Sequence, residues 1–216
     1  MTVSKPGDTD ARGGKGVLVV DVQGDFTELK TGSLAVPGAD ARYLDSVKRA
    51  VQALWQEGLP VYATQDWHPA DHVSFYTNHP GAKPFEVLDL KGRSQILWPP
   101  HCVQGSPGAE ILIPDIWIKK MVRKGMDPEY DSYSGFADDG GRKTELDEVL
   151  RNDRIREVVL FGLTTDYCVK FTAVDAINLG YSVEVRLDLC RGVAPDTTEA
   201  AIREMKEKGA VLRGGL

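Results

Sequence analysis

The sequence predicts one α/β domain of three layers, a mainly parallel six-stranded sheet with helices on both faces. Three observations carry that prediction. Six short apolar runs alternate with segments of helical period, the pattern of strand–crossover–strand units. The 216 residues suit a single domain, which at this size buries about 70% of its unfolded surface and needs no disulfide or metal merely to fold. No repeat, linker or second apolar core interrupts the alternation.

The first sixteen residues, MTVSKPGDTDARGGKG, are polar and glycine-rich and lack an apolar h-region. They are expected to be a flexible tail over residues 1–15 rather than a signal peptide, with the domain running from 16 to 216. Val17–Val20 is a valine-rich run ending at Asp21 and reads as a buried strand. Between Asp40 and Gln56, Tyr43, Leu44, Val47, Val51, Leu54 and Trp55 follow helical spacing, and Gly58 suits the stop. Leu59–Gln65 is the second strand. From Asp66 to Pro107 neither period holds; so long a loop in a compact domain is usually functional, and this one carries His68, His72, His79 and His101. Asp115–Val122 is expected as a strand. Thr144, with Asp147 three positions on, opens a helix to about Asn152 as a weak capping box. Ile155–Phe161 is a strand, Asp166–Leu179 a helix stopped by Gly180, Tyr181–Leu187 a strand, Asp196–Lys208 a helix before Gly209, and Ala210–Leu212 a last short strand.

Composition narrows the function. Lys and Arg number 26 against 32 Asp and Glu, a formal charge of −6, so neither a nucleic-acid footprint nor a polybasic membrane anchor is expected. The apolar runs are far too short to span a bilayer. Three cysteines are an odd count and too few for a disulfide scaffold, which favours free thiols in a reducing, cytoplasmic setting.

In open parallel sheets the active site lies beyond the carboxyl ends of the strands. The residues there are Asp21, then Asp66 and His68, then Arg123 and Lys124, then Thr164 to Cys168. Cys168 falls at the start of a helix, where the dipole and unpaired N–H groups lower a thiol pKa and suit an oxyanion hole. A buried structural cysteine is the competing reading, and Cys102 and Cys190 are assigned to it. Lys124 taken singly also fits a solvated basic strand end, and Asp21 either a helix cap or a proton acceptor. Asp66 and His68, two apart on an extended segment, face one side and could reach one ion. Zinc would suit such N and O donors, with a further ligand from His72, His79 or His101.

The ordered set of motifs resembles the nicotinamidase branch of the isochorismatase-like cysteine hydrolases, over nearly the whole chain from Gly16 to Leu212. The motifs are VVDVQGDF (19–26), GSLAVPGAD (32–40), QDWHPADHVSF (65–75), LWPPHCVQGSPGAE (97–110), RKGMDPEYDSYSGF (123–136) and GLTTDYCVKFTAVDA (162–176). The resemblance implies an isochorismatase-like, Rossmann-like fold. It implies Cys168 as nucleophile, Asp21 as its proton acceptor and Lys124 as the cation favouring thiolate. Asp66, His68 and His101 would hold one divalent metal, zinc first with iron or manganese as alternatives; some relatives take a ligand from near His72, but Asp71 beside it suits His72 to an outer or structural place. Phe26, Trp98 and Tyr133 would sandwich a pyridine ring whose nitrogen meets that metal. Leu163–Thr164 falls where the family has a non-proline cis peptide, though the family more often has Val and Ala there; the N–H groups of Thr164 and Cys168 would form the oxyanion hole. The implied activity is hydrolysis of nicotinamide to nicotinic acid and ammonia. The implied partner is that small molecule, with a second copy of the chain left open. Other amidohydrolases acting on carbamoyl or ureido compounds, vinyl-ether hydrolysis and a non-catalytic binding domain are the alternatives. The metal motif argues against the first, and the retained cysteine, lysine and acid against the last.

Overall fold

The valine run near the N-terminus becomes a central strand, because a segment apolar at consecutive positions needs cover on both faces. The computed structural model describes residues 14–30, 32–90 and 92–215. In chain order the elements are β1 (Gly14–Val20), α1 (Ala41–Gln56), β2 (Val61–Asp66), β3 (Val87–Leu90), β4 (Arg93–Ile96), β5 (Lys120–Lys124), α2 (Leu146–Asn152), β6 (Ile155–Leu163), α3 (Lys170–Asn178), β7 (Ser182–Arg191), α4 (Pro195–Lys208) and β8 (Val211–Arg213). Six strands form one sheet in the order β5-β2-β1-β6-β7-β8, every neighbouring pair parallel. Every residue of β2 and the last five of β1 are buried.

The chain builds β1, β2 and β5 to one side and then returns to β6 on the other side of β1. That reversal opens a crevice at the carboxyl ends of β1 and β6, the usual ligand position in such sheets. Helix ends follow their local signals. Asp40 Oδ1 accepts from the Tyr43 N–H at 2.8 Å at the start of α1, and Gly209, at φ 107°, closes α4 in the left-handed conformation.

Several expectations need correction. β5 does not begin at Asp115: Asp115–Trp117 is a 3₁₀ turn in which Trp117 N–H donates to the Pro114 carbonyl, so the strand starts at Lys120 and extends through Lys124. The stretch from Asp66 to Pro107 is not structureless. It contains the antiparallel hairpin β3–β4, whose half-exposed residues leave no clean apolar alternation to read. The helix expected from Asp166 begins with a π-helical turn, Thr165–Val169, before α3. β1 starts at Gly14, two residues before the expected domain boundary; the rest of the predicted tail lies outside the described residues. Among the described residues no helix is long and apolar enough to cross a membrane.

Candidate active site

The carboxyl ends of four strands bring their terminal side chains together. Asp66 and Lys124 are direct partners in the parallel ladder of β2 and β5, so the register itself sets them side by side. Asp21 follows β1 with a positive φ of 46°, an uncommon conformation that a short polar side chain tolerates better than most. The Thr64 hydroxyl donates to Asp21 Oδ1 at 2.7 Å and accepts from the Asp21 N–H at 3.2 Å. Gln23 grips Asp66 from behind: its Oε1 accepts from the Asp66 N–H at 2.8 Å and its Nε2 donates to the Asp66 carbonyl at 2.8 Å.

Lys124 is the hub. Its ammonium lies 2.5 Å from Asp66 Oδ1, 3.0 Å from Asp21 Oδ2 and 3.5 Å from Cys168 Sγ, and it donates to the Ser132 carbonyl at 2.7 Å. All four side chains are buried. Burial alone would lower the lysine, but Asp21 and Asp66 hold it well above its ordinary value. Burial would raise Asp66, yet Lys124, then His68, keep its carboxyl far below the usual range. Asp21 is raised, because burial outweighs the pull of Lys124. One buried cation thus serves two carboxylates, an arrangement stable only when each charge is paired.

The cysteine corrects a sequence expectation. Lys124 does favour thiolate, but burial pushes the Cys168 thiol well above its ordinary value, and Asp21 and Asp66 push the same way. The resting thiol therefore keeps its proton near neutral pH. Cys102 and Cys190 are also buried and raised, by burial first. The Leu163–Thr164 peptide is cis.

Beside this group lies a second one. One donor atom each from Asp66, His68 and His101 falls within 4.8 Å of the others, all buried. His68 Nδ1 meets the Gly125 carbonyl at 2.9 Å and His101 Nδ1 meets the Pro99 carbonyl at 2.8 Å. With those nitrogens carrying the protons, both Nε2 lone pairs are left to the shared point, the usual outer support of metal-binding imidazoles. His101 is lowered to about 4 by burial and then by His68. His68 is raised, since Asp66 overcomes burial; such a centre attracts a proton or a metal cation. Two imidazoles and a carboxylate fit a divalent ion. Asp21, Asp66 and Cys168 also approach one another within 4.8 Å, but the Lys124 ammonium already serves them as cation. Gly125, at φ 66°, is essential to the packing: a Cβ there would lie 2.3 Å from the His68 ring.

His72 packs against His68 with ring centroids 4.4 Å apart and planes tilted by 50°, yet both its nitrogens are engaged. Nδ1 meets Ser74 Oγ at 2.8 Å and Nε2 the Tyr130 carbonyl at 3.1 Å. His79 is turned to the Val73 carbonyl at 2.7 Å.

Cys168, Thr164, Phe26, Trp98, Tyr133, Asp66 and His101 line one narrow pocket of about 30 Å³, joined by Leu34, Asp131, Tyr167 and Val193. A larger open groove of about 770 Å³ runs along β5 past Arg123, Met126 and Arg142, but it meets the reacting groups only at Lys124 and Ser132, so the chemistry belongs to the smaller pocket. Sequence reasoning missed Thr64, Gln23, Asp131 and Tyr167. Gln23, Asp131 and Tyr167 stood inside quoted motifs; Thr64 gave no separate signal.

The family model for the isochorismatase domain matches residues 15–214. A nicotinamidase of Escherichia coli K12 is 45% identical over 203 residues, covering 92% of this chain and 93% of that one. Among solved structures, a nicotinamidase/pyrazinamidase of Acinetobacter baumannii superposes with a TM-score of 0.84 at 36% identity, covering 94% and 97% of the two chains. A pyrazinamidase of Pyrococcus horikoshii in complex with zinc gives 0.76 at 32% identity, covering 92% and 98%.

Proposed function

We propose, from the premise that the chain belongs to the isochorismatase family, that it is a nicotinamidase, a cysteine hydrolase that cleaves the carboxamide C–N bond of nicotinamide. The observation that carries the reading is the buried contact of one ammonium, Lys124, with Asp21, Asp66 and Cys168, the last two of which line an aromatic pocket.

Asp21 takes the thiol proton as Cys168 Sγ attacks the amide carbon, and Lys124 stabilises the sulfur anion as it forms. The N–H groups of Thr164 and Cys168 receive the tetrahedral oxyanion. Asp21 then returns the proton to the amide nitrogen, ammonia leaves, and a thioester remains. Water attacks the thioester with Asp21 again taking a proton, and nicotinic acid departs as the Cys168 thiol is restored. The raised Cys168 thiol reaches its reactive form by giving its proton to Asp21.

Asp66, His68 and His101 would hold one divalent ion; when bound, it supplies a Lewis-acid seat for a ligand lone pair. Zinc is the first choice for this donor set and is the metal of the similar pyrazinamidase, with iron or manganese distinguished by elemental analysis. Phe26, Trp98 and Tyr133 would enclose the ring. Three free, buried cysteines suit a reducing compartment, so the cytoplasm is part of the proposal.

The test is ammonia release from nicotinamide beside a panel of aliphatic amides and ureas. Turnover of nicotinamide well above the panel is expected. Strong turnover of the panel with none of nicotinamide would overturn the reading.

A further inference from the structure

Gln95 is a buried amide in an otherwise half-exposed hairpin, only 2% accessible. Buried polar groups are retained where they find partners. Its Nε2 donates to Asp131 Oδ2 at 2.9 Å and to the Ile96 carbonyl at 2.8 Å. Asp131 is 4% accessible; its other oxygen accepts from the Ser132 N–H at 2.9 Å, and among the described residues no ion pair involves it. A buried carboxylate tied by an amide rather than a cation is uncommon.

A second link joins the same two segments. Trp98, three residues after Gln95, donates from its indole N–H to the hydroxyl of Tyr133, two residues after Asp131, at 3.1 Å. The two rings stand edge to face with centroids 6.5 Å apart. Burial, and then Asp131, hold the Tyr133 phenol well above its ordinary pKa, so it keeps its proton. Trp98, Asp131 and Tyr133 all line the narrow pocket. Both links therefore bear on the width of the pocket at its aromatic wall.

We propose that the Gln95–Asp131 hydrogen bond is a clamp that sets the separation of the Trp98–Tyr133 wall, making both residues positioning residues for a flat aromatic carboxamide. The inference rests on the nicotinamidase reading. The clamp acts through the wall and touches neither Cys168 nor its proton acceptor, so it governs binding rather than the chemical step.

The experiment compares metal-loaded wild type with Gln95→Met, Asp131→Ala, Asp131→Asn and the double variant Gln95→Met/Asp131→Ala, measuring kcat, KM, inhibition by nicotinic acid and metal per chain. Gln95→Met and Asp131→Ala are expected to raise KM for nicotinamide roughly tenfold, the size of one buried hydrogen bond, with kcat little changed. The nicotinic acid inhibition constant should rise in step. Asp131→Asn, whose amide oxygen can still accept from Gln95, should recover most of the loss, and the double variant should be no worse than the worse single one. An unchanged KM in Gln95→Met, a fall in kcat alone, additive losses in the double variant, or loss of metal from Asp131→Ala would each overturn the clamp. Gln95→Met decides the matter if Asp131→Ala fails to fold. A wild type that turns over nicotinamide beside variants with unchanged KM sinks the clamp alone; a wild type without that turnover sinks the functional reading and the clamp with it.

Discussion

The strand ends and the two loops facing them meet in one pocket but hold their side chains by different means. Asp66 and Lys124 are partners in a parallel ladder, and Asp21 is bound to Thr64 of the next strand. Backbone register fixes these groups, and displacing one means shifting the sheet. Trp98, His101, Asp131 and Tyr133 come instead from irregular segments, the arm of residues 67–107 and the loop of residues 125–143. Their positions depend on side-chain bonds such as His101 to Pro99 and Trp98 to Tyr133. The difference assigns bond-making to the rigid part and recognition to the adjustable part, consistent with sites in which a fixed scaffold carries variable loops. Damage at strand ends should therefore abolish chemistry, whereas damage on the loops should alter binding or metal retention.

The largest effect should come from the strand-end group. Cys168→Ala is expected to remove nicotinamide turnover by several orders of magnitude while leaving the thermal unfolding transition close to wild type, because the change deletes one sulfur beside a pocket. Lys124→Met should be worse for the fold as well. It leaves the Asp21 and Asp66 carboxylates facing each other without a cation, a loss of about 3–5 kcal/mol for a broken buried pair. Turnover assays and urea unfolding check both; a Lys124→Met protein of wild-type stability would show that the carboxylates find another cation or a proton.

Loop-borne ligands come next. His101→Ala should lose metal and activity together. His72→Ala, whose parent side chain has both nitrogens engaged by Ser74 and Tyr130, should keep its metal at saturating supply, with affinity down by roughly 10–100-fold. Metal per chain by elemental analysis, with activity titrated against zinc, manganese and iron, separates them. Full occupancy in His101→Ala beside an empty His72→Ala would mean the wrong imidazole has been assigned.

The same contrast explains what could be read without coordinates. Asp21, Lys124 and Cys168 were legible because each ends or follows an apolar strand, and strand ends of a parallel sheet converge whatever the side chains are. Asp66 and His68 were legible from spacing, and His101 and the aromatic walls only through resemblance to a family. The hairpin was not legible, since Val87–Leu90 and Arg93–Ile96 are mostly part-exposed and show no clean apolar face. Nor were Thr64, Gln23 and Gln95. A supporting residue is chosen for the atom it meets across the fold, and that partner is 43 residues away for Thr64 and 36 for Gln95. Protonation was equally out of reach, because a helix start and a lysine both argue for thiolate and only the burial of Cys168 decides otherwise.

A moderate effect should appear at that thiol. Cys168 is 5% accessible against 0% for Cys102 and Cys190, and Lys124 lies 3.5 Å from its sulfur. Iodoacetamide should label it fastest of the three, at a rate that keeps climbing as pH rises through and beyond the ordinary thiol range. Mass spectrometry of the three peptides tests this. A rate already on its plateau at pH 7 would show a resting thiolate, and equal labelling of all three would remove the case for an accessible nucleophile.

The smallest effect belongs to the loop side and tests whether its carboxylates are less well compensated than those at the strand ends. Asp139, whose N–H donates to the Asp131 carbonyl at 2.8 Å, has its carboxyl raised from 3.8 to about 6, by burial first and then by the Asp131 charge. A carboxyl raised in the folded state binds its proton more tightly there than in the unfolded chain. It therefore favours folding below about pH 4, and that contribution is lost as pH rises toward 6. Above this window the ionised group opposes folding. The carboxyl is partly desolvated, but the residue as a whole remains exposed, and screening reduces the effect to less than about 1 kcal/mol. Asp139→Asn removes the titration, so the variant should match wild type near pH 3.5 and be slightly more stable at pH 7. Urea midpoints at the two pH values decide it. An equal gain at both would point to packing instead of charge, and a loss at pH 7 would show that this carboxylate is paired as favourably as those beside Lys124.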